Sequence, residues 1–111
     1  MPSVQLTARL RDDYKNLFNN CDIRPERSQE VEGIVRKIDA NRARYDKVET
    51  SLGVPWFVVA VTHNMEASLN FTKHLHNGHP LTARTVQVPA GRPKTGNPPF
   101  TWEQSAADAL T

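Results

Sequence analysis

The sequence is short of cysteine, of long apolar runs and, in its second half, of acidic residues. Cys21 is the single cysteine among 111 residues, which excludes a disulfide within the chain. The longest apolar run, residues 54–61, is much shorter than the roughly 18 residues that indicate a transmembrane helix. The N-terminal segment lacks the apolar stretch of a Sec signal peptide. These absences predict a protein that is made in the cytoplasm and does not insert into a membrane.

The distribution of charge narrows the choice of catalytic groups. The net charge is only +2, and acidic residues alternate with basic ones in the first half, which argues against a nucleic-acid partner. The acids of residues 55–111 are Glu66, Glu103 and Asp108, and the histidines are His63, His74, His76 and His79. Acid–base chemistry in this half therefore depends on a small set of side chains.

Two helices are predicted in the first half. In the first helix, apolar residues recur at helical spacing: Leu6, Leu10, Tyr14, Leu17 and Phe18. The residues that follow and end this helix are Asn19, Asn20 and Pro25. The second helix is predicted to begin near Ser28, a favoured N-cap residue, and to continue to Leu52. Gly53 lies where a glycine commonly ends a helix.

The segment of residues 55–67 has conflicting local preferences. Its valines favour a strand, whereas Pro55 suits the first position of a helix. Because the segment is apolar on nearly every side as far as Thr62, we expect a helix buried in the core. Such a helix carries Glu66 close to its C-terminal end.

The rest of the chain is predicted to be mostly irregular. Asn77 and Gly78 form a strong turn signal, and residues 82–88 have the composition of a short strand. Prolines and glycines between residues 89 and 99 predict a long loop. A last helix is predicted from Thr101, whose spacing from Gln104 is that of a capping box. We expect this helix, with Trp102, and the helix of Trp56 to expose apolar surface.

Glu66 is the first candidate for catalysis. A carboxyl group beside apolar residues favours its protonated form, which can donate a proton at neutral pH. The histidines allow two interpretations. His74 and His76 form an H-x-H pair that could bind zinc with His63 and Glu66, or the histidines could orient loops and substrate.

Residues from about Leu52 to Leu110 resemble the bacterial and phage "lysozyme family protein" group, a lysozyme-like set of peptidoglycan hydrolases. The most specific part of the resemblance is the string HLHNG-x-PLTARTV-x-VPAGRP, which begins at His74. The resemblance implies an α+β fold, mostly α, with a buried catalytic helix and a small β-hairpin wing beside a saccharide cleft. It also implies a single domain over residues 1–111 that continues into a longer fold, with a helical segment over 1–53 and the active-site segment over 54–111.

The resemblance also implies roles for particular residues. Glu66 corresponds to the general acid, and the residues implied to contact the saccharide are His63, Ser68, His74, His76, Asn77, His79 and Thr82. The family pattern carries an acid where this chain has His79, so the expected second carboxylate is missing.

The function implied is that of a muramidase that cleaves the β-1,4 bond between N-acetylmuramic acid and N-acetylglucosamine in the cell wall, without a metal or other cofactor. A non-catalytic saccharide-binding or assembly module is the alternative, and a zinc hydrolase is a third. We also expect self-association, or a partner chain that completes the fold.

Overall fold

The computed structural model describes residues 3–111 and contains five α-helices in that part of the chain. They are α1 (Ala8–Asn19), α2 (Ser28–Ala40), α3 (Arg42–Leu52), α4 (Trp56–Ala67) and α5 (Trp102–Ala109). The chain divides into two units, one ending at Val31 and the other beginning at Glu32. None of the helices in residues 3–111 is long and apolar enough to cross a lipid bilayer.

Helix α1 confirms the helix predicted from the apolar spacing of the N-terminal segment. Thr7 is its N-cap, because the Thr7 hydroxyl accepts a hydrogen bond from the Leu10 amide at 3.1 Å. No residue of α1 is buried, and the apolar side chains of Tyr14, Leu17 and Phe18 are exposed.

Helices α2 and α3 correct the prediction of one continuous helix from Ser28 to Leu52. The start at Ser28 is confirmed, and Gly53 ends α3 with φ +74°, as predicted. The helix is interrupted at Asn41, whose side-chain amide donates to the Lys37 carbonyl at 2.9 Å. An asparagine side chain that bonds a nearby backbone group competes with helical hydrogen bonds, and apolar periodicity does not report this competition.

Helix α4 is a helix as predicted, despite its valines, but it is buried on one side only. Val59, Ala60, His63 and Ala67 face the core. The opposite side exposes Phe57, Val58, Val61 and Met65. The predicted exposure of apolar surface is therefore confirmed for α4 and wrong for the helix of Trp102, because the Trp102 side chain is only 1% exposed.

The predicted α+β fold with a β-hairpin wing is wrong for the described residues. They contain no strand, and one isolated antiparallel bridge joins Lys73 to Pro80. Residues 82–88, predicted as a strand, are irregular. Their backbone groups are bonded to side chains and turns instead of a ladder. The Val86 amide, for example, donates to Nδ1 of His79 at 3.1 Å.

The core of the second unit is built where α3, α4 and α5 meet the irregular segment between α4 and α5. Its buried members are Tyr45, Val48, Val59, Ala60, Leu75, Leu81, Phe100, Trp102 and Ala106. Helix α5 begins with the predicted capping box, in which Thr101 and Gln104 bond each other's backbone amides. This box fixes the start of α5 and so the depth of Trp102 in the core.

Gly78 provides a test of how the irregular segment packs on α4. A Cβ atom at Gly78 would lie 2.7 Å from the Glu66 carbonyl oxygen, and Gly78 has φ +79°. We expect Gly78→Ala to lower the free energy of unfolding by about 2–3 kcal/mol, through backbone strain and this clash. Gly53→Ala is the matched control. Gly53 has a similar φ of +74° with no atom within 4 Å, so its cost should be about 1 kcal/mol. Urea denaturation measures both, and equal losses would contradict the predicted contact.

Candidate functional site

A cleft of about 260 Å³ brings together two of the residues predicted to act on substrate, Glu66 and His76. Glu66 lies on the last turn of α4 and its side chain is exposed. Within residues 3–111 the Glu66 carboxylate makes no ion pair. The remaining lining residues are Thr62, Leu75, Pro89, Ala109 and Leu110. Glu66 therefore faces a small, largely apolar cleft whose other side is formed by Pro89 and the end of α5, in place of the expected β-wing.

His76 reaches the cleft with both ring nitrogens directed at protein groups. Its Nε2 donates to a carboxylate oxygen of Asp108 at 2.6 Å, and its Nδ1 lies 3.4 Å from the Ser105 hydroxyl. The side chain is only 3% exposed. His76 therefore shapes the cleft wall and leaves little polar surface for a direct contact with saccharide.

Asp108 supports this site, although it was not among the residues predicted to act on substrate. Hydrogen bonds from Arg92, at 2.8 Å, and from His76 hold the pKa of Asp108 below its usual value, against the effect of partial burial. Asp108 is therefore an ionised anchor that joins α5 to the irregular segment. Its position three residues after Ser105, on the same face of α5, is the sequence signal that could have revealed it.

Polar contacts link Ser105 to His76 and His76 to Asp108, in the order of a hydrolytic triad. Ser105 is nevertheless not available as a nucleophile. Ser105 is fully buried. Its hydroxyl accepts from the Leu75 amide at 3.0 Å and lies 2.9 Å from Nδ1 of His74. Because Nε2 of His74 must donate to the Ala83 carbonyl, Nδ1 is the acceptor of the serine proton. The arrangement is structural.

His63 is also a structural histidine. The Tyr45 hydroxyl donates to its Nδ1 at 2.8 Å, and its Nε2 donates to the Asn70 carbonyl at 3.1 Å. Burial lowers the pKa of His63 and raises the pKa of Tyr45 to about 12. The predicted contact of His63 with substrate does not fit this position, since the ring is enclosed by the core.

The remaining predicted site residues lie outside the Glu66 cleft. His79 and Thr82 line a separate cleft of about 360 Å³ that also contains Arg84. Ser68 caps α4 in a left-handed conformation and is exposed. The Asn77 carboxamide oxygen accepts from the His79 amide at 3.1 Å, which stabilises the predicted turn. The structure thus divides the predicted set over two clefts and the core.

The zinc-hydrolase alternative does not fit these contacts. Both ring nitrogens of His63 and of His74 are bonded to protein groups, and Nδ1 of His79 accepts from an amide. Among the residues described, no group of three or more histidine, cysteine or acidic side chains is placed to hold a metal ion. Arg84, which lines the cleft of His79 and Thr82, donates to the carbonyls of Pro93 and Gly96.

Neither protein-family models, nor curated proteins, nor solved structures match this chain.

The two buried histidines predict how stability depends on pH. Burial lowers the pKa of His63 and of His74 below the usual value of 6.5. Their contribution to stability is thus complete above pH 6.5 and is lost as the pH falls, because the unfolded chain takes up protons that the folded chain does not. We expect a loss of up to about 1.4 kcal/mol per pH unit for each histidine below pH 6.5.

Urea denaturation between pH 8 and pH 5 measures this loss. The acids Glu103 and Asp108 have lowered pKa values in the folded chain, so their contributions persist in this range and decline only at lower pH. His74→Gln should be less stable than wild type at pH 8 but should show a shallower fall below pH 6.5, since glutamine takes up no proton. Constant stability of the wild type from pH 8 to pH 5 would contradict the assignment of neutral buried histidines.

Proposed function

We propose that the protein cleaves peptidoglycan as a glycosidase, with Glu66 as the general acid. The bond cleaved is the β-1,4 linkage between N-acetylmuramic acid and N-acetylglucosamine, and the chemistry needs no cofactor. The observation that carries the proposal is an exposed carboxylate without an ion-pair partner in residues 3–111, at the end of a helix and on the edge of a small cleft. The resemblance of residues 52–110 to peptidoglycan hydrolases supports the choice of substrate.

The cleft is suited to a proton transfer from Glu66. A saccharide that fills it would displace water from the carboxyl group. The saccharide would also contact the apolar side chains that line the cleft, namely Leu75, Pro89, Ala109 and Leu110. A carboxyl group in contact with the glycosidic oxygen can donate a proton to it as the bond breaks. Thr62, one helical turn before Glu66, adds a hydroxyl group on the same edge of α4.

The alternative function is a non-catalytic module that binds saccharide or supports an assembly. The specific observation in its favour is that Glu66 is the one acid that lines the cleft in the described part of the chain. Two-carboxylate glycosidases need a second such group, so a chain that lacks it could retain binding without turnover.

The Glu66→Gln variant separates the two functions. The amide is nearly isosteric but cannot donate an acidic proton, so we expect cleavage to fall about 10²–10⁴-fold while binding persists. Clearing of purified peptidoglycan, mass analysis of the fragments and cosedimentation with insoluble peptidoglycan measure the two effects. Glu32→Gln, on the exposed surface of α2, is the control and should retain full activity.

Each outcome of this comparison is decisive. Unchanged cleavage by Glu66→Gln would remove Glu66 from the mechanism. Binding of peptidoglycan by the wild type without release of fragments would favour the non-catalytic module. Asp108→Asn is not a neutral control, because Asp108 anchors the cleft wall through its hydrogen bond with His76.

We also propose that a second copy of the chain covers the exposed side of α4. Phe57, Val61 and Met65 are 55%, 53% and 77% exposed and lie at intervals of four residues. In an antiparallel pair of α4 helices centred on Val61, Phe57 of each copy therefore meets Met65 of the other, a favourable aromatic–sulfur contact. Glu66 is the only residue of α4 that carries a full charge, so like charges do not oppose this pairing.

The size of this surface predicts a weak dimer. The exposed side chains of α4 present on the order of 400 Å² of apolar area, near the size at which a patch marks an interface. A standard interface buries about 800 Å² on each partner, so we expect a transient dimer that dissociates on dilution.

Cysteine cross-linking tests the pairing in a Cys21→Ser background. Val61→Cys should form a disulfide-linked dimer by itself, because Val61 lies next to the two-fold axis. Phe57→Cys and Met65→Cys should cross-link only when the two variants are mixed. Val86→Cys, equally accessible at 75% exposure, is the control. A monomer at millimolar concentration in sedimentation equilibrium, or cross-linking of Phe57→Cys alone, would contradict the antiparallel pair.

A further inference from the structure

The acids that line the cleft limit which group can attack the sugar once the glycosidic oxygen has been protonated. The residues that line the cleft with Glu66 are apolar or uncharged, apart from His76, whose Nε2 is bonded to Asp108. No second carboxylate lines this cleft within residues 3–111. The protein groups of the cleft therefore supply one acid and no second carboxylate to serve as nucleophile or base.

Four other acids of the second unit, Asp46, Glu49, Glu103 and Asp108, are each bonded to a group outside the cleft or behind its wall. Asp46 pairs with Arg42 at 2.9 Å, and Glu49 accepts from the Trp56 amide at 2.5 Å. Glu103 pairs with Arg44 at 2.9 Å, and this hydrogen bond contributes to the lowered pKa of Glu103. Asp108 accepts from both Arg92 and His76. Recruiting any of these acids to the cleft would break a hydrogen bond or ion pair of the folded chain.

A glycosidase with two carboxylates places them at one of two separations. At about 5–5.5 Å the second carboxylate attacks the sugar, and at about 6.5–9.5 Å it activates a water molecule. When the protein offers neither, the substrate can itself supply the nucleophile, as in substrate-assisted glycosidases. An N-acetylmuramoyl unit carries two such groups, the acetamido carbonyl oxygen and the hydroxyl on C6.

We propose that the cleft carries out lytic transglycosylation, so that the product is a 1,6-anhydro sugar and no water is consumed. This inference rests on the proposed peptidoglycan-cleaving function. Glu66 donates its proton to the glycosidic oxygen as the bond from C1 to that oxygen breaks, and the leaving saccharide departs with a free hydroxyl. The acetamido oxygen bonds to C1 and forms a cyclic oxazolinium ion.

The second step regenerates the acid. The Glu66 carboxylate takes the proton of the C6 hydroxyl while that oxygen attacks C1, and the bond from C1 to the acetamido oxygen breaks. Glu66 ends protonated, the acetamido group is restored, and nothing is oxidised or reduced. One carboxyl group is sufficient for both steps, which matches the single acid of the cleft. On the side that faces Glu66, the side chains of Leu75, Pro89, Ala109 and Leu110 are apolar, so this side offers no polar side chain to orient a competing water.

Digestion of purified peptidoglycan in water enriched in ¹⁸O tests the proposal with the intact chain. Mass spectrometry should show muropeptides that lack one molecule of water relative to hydrolysis products and that contain no ¹⁸O. A hydrolytic lysozyme run in parallel should give reducing ends that carry ¹⁸O. Glu66→Gln should release neither product, and Glu32→Gln should give the anhydro product at the wild-type rate.

The outcomes separate this inference from the function on which it rests. Fragments that carry ¹⁸O at the reducing end would overturn transglycosylation and leave Glu66-dependent cleavage in place, with a second carboxylate or a bound water to be found. If the wild type releases no fragment of either kind, the proposed function is wrong and the inference falls with it.

Discussion

The buried hydroxyl group of Ser105 is the interaction on which the second unit most depends. It accepts from the Leu75 amide and donates to His74, which in turn donates to the Ala83 carbonyl. Ser105 on α5 thereby fixes Leu75 directly and Ala83 through His74, in a segment that has no helix or strand of its own. Because a buried polar group without a partner costs about 1–3 kcal/mol, each member of this chain of bonds depends on the others.

The absence of a strand ladder explains why so many polar side chains are internal. In a sheet, neighbouring strands satisfy each other's amides and carbonyls, whereas residues 68–101 must find other partners. The side chains of His63, His74, Asn77, Arg84 and Thr85 bond backbone carbonyls of this segment. Residues that resemble ligands or catalytic groups by type are therefore mostly structural, and Glu66 stands apart as an acid at the surface.

The cleft at Glu66 is a consequence of how three pieces meet. Helix α4 presents Thr62 and Glu66 on one edge, and Gly78 packs closely on the carbonyl at its end. The last turn of α5 supplies the facing apolar residues and is fixed by Asp108, which bonds both His76 and Arg92. Polar contacts thus set the width of a cleft whose own lining is largely apolar. Such a cleft can hold a carboxyl group in contact with a substrate while the supporting charges remain satisfied elsewhere.

Local patterns in the sequence predicted a large part of this architecture. The apolar spacing before Asn19, the stop at Gly53, the capping box at Thr101 and the turn at Gly78 are confirmed, because each depends on residues within a few positions of one another. The same local information places Glu66 at the end of α4. It also restricts the acids of the second half to three residues.

Contacts that apolar spacing does not report decided the rest. In the segment 82–88, predicted as a strand, the Val86 amide donates to the His79 ring and the Thr85 amide donates to the Arg92 carbonyl, so neither amide is available to a ladder. The long helix breaks at Asn41 because a side chain competes for a carbonyl, and Trp102 is buried because α5 packs against α3 and the aromatic rings of Tyr45 and Phe71. The sequence by itself determined which segments are helical, apart from the break at Asn41, and which acid is placed at a helix end. Only the tertiary structure decided which polar groups are enclosed, since enclosure depends on partners that the spacing of residues along the chain does not reveal.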